Sequence, residues 1–152
     1  IIEALKNQYP LFNFTTDIMV GFPGQTEKDF EETCGVIREV GFSHVHTFKY
    51  SIRQGTRAER MPEQIDEKIK QQRSLIIRQL AGENKQKYRQ LFKGIQQTVL
   101  VEKVSKNGTA RGYGEHYVPV EFRQHTSDTN YFNTVNIKSI GGASQDFILK
   151  GE

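Results

Sequence analysis

The sequence predicts an α/β segment followed by a small all-β barrel, the two joined by a long helix. Three observations carry this expectation. A strand-length apolar run ends in glycines and gives way to a helix and a second strand; one helical periodicity spans the middle of the chain; and after Gly94 the pattern changes to short strands separated by turn residues. The expected division is 1–63 for the α/β part, 64–93 for the connecting basic helix and 94–152 for the barrel.

Ile1 to Gln8 reads as the tail of a helix stopped by Pro10, which lacks an amide donor and disfavours helix in the residue before it. Phe14 to Val20 is β-branched and apolar, as a strand requires, and runs into Gly21-Phe22-Pro23-Gly24. Thr26 followed by Asp29 resembles a capping box, and Phe30, Thr33, Cys34, Ile37 and Val40 recur at helical spacing until Gly41 ends the helix. His44 to Ser51 alternates polar and apolar residues, predicting a second strand that leads into a charged loop over Ile52 to Met61. Strand, helix, strand with short turns demands a parallel pair, because the crossover helix returns the chain to the same edge. From Gln64 to Lys93, the positions Ile65, Ile69, Ile76, Leu80, Tyr88 and Phe92 mark a helix on the order of 40 Å long, with Gly82 as a point of breakage or kinking. Strands are then expected over Gln97 to Val104, Gly112 to Phe122, Thr134 to Ile140 and Asp146 to Leu149, punctuated by Asn107-Gly108 and Gly141-Gly142.

Composition narrows the function. The chain has 152 residues, one cysteine and no apolar run near the ~20 residues of a membrane-spanning helix, so a cytoplasmic protein without membrane contact or intramolecular disulfide is expected. It opens at Ile1 without a methionine, and sequence upstream is expected to be missing. Net charge is +3, but residues 64–93 hold 8 Lys and Arg against 3 Asp and Glu, whereas the flanking zones hold 7 against 9 and 6 against 6. Such a stripe suits a polyanion such as RNA, or simply the solvated face of a long helix.

Glycines at the carboxyl end of a parallel strand let backbone approach a ligand, where α/β folds bind them; equally, Gly21 and Gly24 only make the turn. The second strand brings Tyr50, Ser51 and Arg53 to the same edge, a guanidinium that pairs with carboxylate or phosphate or stands as a surface arginine in a loop. Asp17 within the strand is either a polar residue of a barrel interior or a partner for a basic group. His44, His46, His116 and His125 show no metal-ligand spacing, and no metal site is expected.

The two strand ends together, Gly21-Phe22-Pro23-Gly24-Gln25-Thr26-Glu27 and Phe48-Lys49-Tyr50-Ser51-Ile52-Arg53-Gln54-Gly55-Thr56-Arg57-Ala58, resemble the MiaB-like radical S-adenosylmethionine tRNA methylthiotransferases. The resemblance covers nearly the whole chain. It implies the last strands of a partial TIM-type radical barrel, then the long helix, then a TRAM domain, a small RNA-binding barrel. Gly112 to Val120 is similar to the MtaB-like branch, which acts on threonylcarbamoyladenosine beside the anticodon. What the resemblance implies for cofactor is that Gly21 and Phe22 line the adenine of S-adenosylmethionine, with Tyr50, Ser51 and Arg53 at the cofactor or substrate edge.

The chain departs from the family in its cysteines. The family's cluster needs a three-cysteine motif, and only Cys34 is present, at a core position of a helix. S-adenosylmethionine and 4Fe-4S clusters therefore belong to a full-length parent; neither is expected on this segment, no catalytic residue is assigned, and the segment alone is expected to be inactive. The expected partner is tRNA through its anticodon stem-loop. Lys85, Lys87 and Arg89 of the helix, with Lys103, Arg111, Tyr113, His116 and Tyr117 of the tail, mix the cations and aromatics that hold phosphate and stack on unpaired bases. A truncated barrel would expose a strand edge through which the chain could dimerise. The rival readings are a non-catalytic RNA-binding module on an α/β scaffold, and a different α/β enzyme ending in a nucleic-acid module.

Overall fold

A computed structural model describes residues 1–142 and 148–152 of the chain. Two compact units are present, one of residues 14–85 and one of residues 1–13 with 86–152.

In the first unit, strand β1 (Thr15–Val20) pairs in parallel with β2 (His44–Lys49), in register from Thr15 opposite His44 to Val20 opposite Lys49. Helix α2 (Glu27–Val40) makes the crossover. Its start is a full capping box: the Thr26 side chain accepts from the Asp29 amide at 3.2 Å while Asp29 Oδ2 accepts from the Thr26 amide at 2.8 Å. The Thr26 hydroxyl, which donates to Asp29 Oδ2 at 2.7 Å, and after it the Thr26 amide hold the Asp29 carboxyl below its usual value. Gly41 closes α2 in the left-handed region, φ 68°, donating its amide to Ile37. The first core joins Val20 and Val45 of the strands to Phe30, Cys34 and Ile37 of α2 and to Ile77 and Ala81 of α3 (Glu67–Gln90).

Helix α3 runs through Gly82 without the expected break, and the boundary between the two units falls inside it. Of the expected apolar positions, Ile76 and Leu80 pack against the first core and Tyr88 and Phe92 are buried, whereas Ile69 is exposed; the inward face also carries Lys70, Arg73, Ser74, Ile77, Ala81 and Asn84, at the 3.6-residue period. A face with two cations and an amide does not announce itself to a search for apolar residues.

In the second unit, β3 (Gln96–Val104), β4 (Thr109–Gly114), β5 (Pro119–Arg123), β6 (Phe132–Gly141) and β7 (Ile148–Gly151) close a barrel in the order β3-β4-β5-β7-β6, with β3 and β6 sealing it. All neighbours are antiparallel except β5 and β7. The single strand expected over Gly112 to Phe122 is in fact two: the chain reverses at 115–118, where Gly114 and Val118 pair and Tyr117 takes φ 57°. A tyrosine in the left-handed region is no turn signal, and for that reason the hairpin is hidden in the sequence. Of the last expected strand, Asp146 and Phe147 lie outside the described residues. The interior is filled by alternating residues including Val99, Val101, Val120, Phe122, Val135, Ile137 and Leu149, with Phe92 beneath them. Helix α1 (Ile2–Gln8) and the segment to Asn13 belong to this unit; Tyr88 donates its hydroxyl to the Leu11 carbonyl at 2.8 Å, and burial pushes that phenol up to about 12.

Gly112 has no room for a side chain: a Cβ there would stand 1.9 Å from the Leu100 carbonyl oxygen of the neighbouring strand. Gly112→Ala is expected to destabilise the barrel by about 3 kcal/mol, since either backbone or register must move. Gly35 inside α2 has nothing within 4 Å of the same position. Gly35→Ala is expected to stabilise by about 1 kcal/mol through helix propensity. Urea midpoints followed separately for each unit decide both signs.

Candidate functional site

The carboxyl ends of β1 and β2 form one edge, built on the parallel pairing. The Tyr50 amide donates to the Val20 carbonyl at 2.9 Å, which sets Tyr50 beside the turn that follows β1. Phe22 and Tyr50 meet edge to face, ring centroids 5.3 Å apart at 71°. Phe22 is 41% exposed, whereas Tyr50 is buried and its hydroxyl is enclosed without a protein partner.

Two cations from α3 complete this edge, and the sequence reading did not single them out. Lys70, 6% exposed, sets its ammonium 5.4 Å from the Tyr50 ring centroid and 3.7 Å from Glu67. Its stem lies where a side chain on residue 21 would be: a Cβ on Gly21 would stand 2.3 Å from Lys70 Cγ, and Gly21 has φ +73°. Glycine is therefore required at position 21 both by the turn and by the lysine packed on it. Lys49 hydrogen-bonds Glu67, and that bond is the chief cause holding the Glu67 carboxyl below its usual value.

Arg73, equally buried, donates Nη1 to the Gln25 carbonyl at 3.0 Å and to Gln25 Oε1 at 3.1 Å, and Nη2 to Glu27 at 2.9 Å. Gln25 Oε1 also accepts the Gly21 amide at 2.7 Å. The guanidinium thus holds Gln25, whose side chain in turn holds the Gly21 amide across the turn, with its Cζ 5.2 Å from the Phe30 ring centroid. The signal that finds Lys70 and Arg73 is their phase with Ile77 and Ala81.

Of the residues expected at this edge, Gly21, Phe22 and Tyr50 come together. Ser51 and Arg53 are exposed in the following loop, whose form is set by Thr56 donating to the Arg53 carbonyl at 2.8 Å and by Glu59 accepting the Gly55 amide at 2.7 Å. Cys34 is 4% exposed in the first core, and burial pushes its thiol up. Among the described residues, no group of three or more His, Cys, Asp and Glu is placed to hold a metal ion.

On the barrel, Tyr113 and Tyr117 stack at 4.8 Å and 18°, and Tyr117 is 78% exposed. His116 is half-buried instead, packed on Phe92 at 5.3 Å with Nδ1 3.3 Å from Gln97 Oε1. Lys103, Arg111, Glu121 and Lys150 follow one another across β3, β4, β5 and β7 as register partners. Glu121 pairs with both Arg111 and Lys150, and their bonds, Lys150's first, hold its carboxyl below the ordinary 4.5. Lys150 is the member of this row that the sequence reading missed, being named by cross-strand register alone. Lys87 is exposed and Lys85 half-buried, but Arg89 is 8% exposed, with Nε and Nη1 enclosed without protein partners. Burial lowers the Arg89 guanidinium to about 10. Arg89 is thus a core residue rather than a member of the solvated basic stripe.

These features define a two-unit protein, an α/β unit whose strand edge gathers Gly21, Phe22, Tyr50, Lys70 and Arg73, and a small closed barrel carrying cations and stacked tyrosines. No protein-family model matches the chain. Among curated proteins it is 36% identical over 140 residues to the threonylcarbamoyladenosine tRNA methylthiotransferase MtaB of Thermotoga maritima, covering 92% of this chain and 32% of that protein. It is 40% identical over 114 residues to a tRNA-2-methylthio-N(6)-dimethylallyladenosine synthase of Alkaliphilus oremlandii, covering 75% and 24%, and 42% identical over 106 residues to that of Finegoldia magna, covering 70% and 23%. The chain belongs to the MtaB- and MiaB-type tRNA methylthiotransferase family, and spans about a third or less of the length of the curated relatives it matches.

Arg73→Ala is expected to cost about 2–3 kcal/mol, because it strips the Gln25 carbonyl and amide oxygen of a buried charged donor. Arg73→Lys is expected to restore less than half, since an ammonium lacks the planar fork that meets Gln25 with one nitrogen and Glu27 with another. Denaturant unfolding measures the loss, and faster hydrogen exchange at the Gly21 amide locates it. In the barrel, the folded carboxyl of Glu121 is depressed, so its contribution is present above the unfolded value and lost as pH falls through the folded one. Glu121→Gln is expected to be about 1 kcal/mol less stable than the parent at pH 7, with the difference vanishing in acid below the ordinary 4.5. Melting curves across pH test this.

Proposed function

We propose that this chain is the C-terminal part of a tRNA methylthiotransferase acting on a modified adenosine beside the anticodon, of the threonylcarbamoyladenosine-specific kind. The observation that carries the reading is identity at 36% to MtaB along 92% of the chain. On this reading, 1–63 is the closing part of a radical S-adenosylmethionine barrel, 64–93 its connecting helix and 94–152 a TRAM domain.

The strand edge fits S-adenosylmethionine. Phe22 offers an exposed ring for adenine, the enclosed Tyr50 hydroxyl lacks a protein partner, and Arg73 and Lys70 hold the turn between them. Ser51 and Arg53 stand in the loop beyond, where a hydroxyl and a guanidinium take polar groups of cofactor or substrate. The chain does not fit an iron-sulfur cluster: its one cysteine is buried with a raised thiol pKa, so cluster ligands come from outside it. A cluster held by cysteines outside this segment would supply the radical chemistry together with S-adenosylmethionine. This segment's share is to close the cofactor pocket and to grip tRNA.

For the grip, the row of Lys103, Arg111 and Lys150 meets backbone phosphate, Lys85 and Lys87 add long-range attraction, and the Tyr113–Tyr117 stack takes an unpaired base, with His116 behind it. Binding of an anticodon stem-loop by the 152-residue chain is expected to fall as salt rises. Lys87→Ala and Lys103→Ala should each reduce the salt slope by about one, and Tyr117→Ala should cost about 1–3 kcal/mol at every salt concentration. An unchanged slope would remove these lysines from the interface. For catalysis, the full-length protein reconstituted anaerobically with iron and sulfide is expected to cleave S-adenosylmethionine and methylthiolate tRNA. Absence of bound cluster would leave the chain as an RNA-binding module on an α/β scaffold.

A further inference from the structure

Among the described residues, the β1–β2 sheet is covered on one face only. Val20 and Val45 pack against α2 and α3, while Thr15, Asp17 and Met19 of β1 and His44, His46 and Phe48 of β2 stand on the other face, all exposed. Parallel sheets are ordinarily covered on both faces, and the 51% exposure of Met19 and 42% of Phe48 are those of residues meant to be covered. The register sorts this face into layers: Thr15 beside His44, then Asp17 beside His46, then Met19 beside Phe48, nearest the Gly21–Phe22 turn. The apolar layer thus adjoins the proposed cofactor edge, and the charged layer lies one step further in.

The charged layer is a matched pair. His46 Nδ1 stands 3.8 Å from Asp17 Oδ1, and the imidazole is held edge to face on Phe48 at 4.6 Å and beside the His44 ring at 5.9 Å. With Nδ1 turned to the carboxylate, Nε2 lies on the far side of the ring. The pair therefore offers a ring nitrogen and a carboxylate acceptor a few ångströms apart, next to the apolar layer of Met19 and Phe48.

We propose that Asp17 and His46 are specificity-determining residues that recognise the N6 substituent of the substrate adenosine, selecting one that carries a carboxylate and hydrogen-bond donors. This rests on the functional reading above. The two kinds of relative act, by their names, on adenosines with different substituents. A threonylcarbamoyl group has an amino-acid carboxylate, a hydroxyl and urea N–H groups; a dimethylallyl group is a five-carbon hydrocarbon with none of these. His46 donates to the carboxylate, and Asp17 accepts from the hydroxyl or a urea N–H. A dimethylallyl group in the same place would desolvate the pair and return no hydrogen bond, the arrangement by which a polar site rejects an apolar analogue. Met19 and Phe48 cover the base end of either substrate, so the discrimination falls on the layer beneath them.

The test is competition between two anticodon stem-loops, one with N6-threonylcarbamoyladenosine and one with N6-dimethylallyladenosine, for the full-length reconstituted protein and its Asp17→Asn, His46→Gln and His46→Phe variants. The kcat/KM ratio is expected to favour the threonylcarbamoyl substrate by at least about tenfold in the parent. It should fall at least about fivefold in each His46 variant and, to a lesser degree, in Asp17→Asn, with the apolar His46→Phe losing most. Because both side chains are exposed and Asp17→Asn and His46→Gln change little in size, folding is expected to survive, and S-adenosylmethionine affinity checks that it has. A ratio near one in the parent, or one that the variants leave unchanged, overturns the inference while the methylthiotransferase reading stands. Turnover of neither substrate overturns both.

Discussion

The α/β unit depends on a charge placed where charges are costly. Arg73 lies on the inward face of α3, more than nine-tenths buried; Gln25 of the turn after β1 supplies acceptors for Nη1, and Glu27 at the start of α2 accepts from Nη2. An unpaired guanidinium there would cost several kcal/mol, so α3 can dock only if the turn takes the shape that satisfies it. That shape is the one in which Gln25 folds back to accept the Gly21 amide, and it presents Phe22 and Tyr50 to each other. A hydrophobic residue at position 73 would dock the helix equally well and leave the turn free. The buried cation gives up some stability margin for one defined strand-end geometry.

Charge in the barrel follows a different rule. The sequence from 94 to 152 has equal numbers of acids and bases, which argues against an anion-binding surface. In the folded barrel, Glu121 is drawn between Arg111 and Lys150, and Lys103 continues the row across β3. One carboxylate fixes the positions of two cations, and the row keeps a positive surplus on adjacent strands. Such fixed cations lose less side-chain entropy on meeting a phosphate than free ones would. Arg89, by contrast, is withdrawn into the core, which removes a cation from the count of the helix.

Local chemistry in this chain was legible where it is self-contained. The capping box of Thr26 and Asp29, the glycine that ends α2 and the parallel pair of β1 and β2 each follow from residues a few positions apart. The polar members of the inward face of α3 were not legible in the same way, because Lys70, Arg73 and Asn84 have partners far off in sequence. Asn84 meets the Ile37 carbonyl at the end of α2, a contact no periodicity encodes. The hairpin between β4 and β5 was hidden for another reason: Tyr117 pays a backbone strain that turns normally avoid through glycine or asparagine, and does so beside the tyrosine it stacks on. Gly21, Phe22 and Tyr50 could be placed at one edge from the strand ends alone, whereas Lys70 and Lys150 needed tertiary packing and cross-strand register.

The strain at Tyr117 and the layering of the β1–β2 face bear on one physical point. A left-handed tyrosine that is 78% exposed gains nothing from burial, so its conformation is retained by the stack with Tyr113 and by the tight turn that Gly114 and Val118 close. Met19 and Phe48 likewise gain nothing from their exposure, and the Asp17–His46 pair between them and the lower strand ends is too solvated to hold the sheet together. In both units these side chains stand beside one another in pairs, Tyr113 with Tyr117, Asp17 with His46 and Met19 with Phe48. Preorganised groups of that kind contribute to binding in proportion to the ordering they no longer require, which is the physical reason to look for ligand chemistry at these two surfaces rather than at the well-packed remainder.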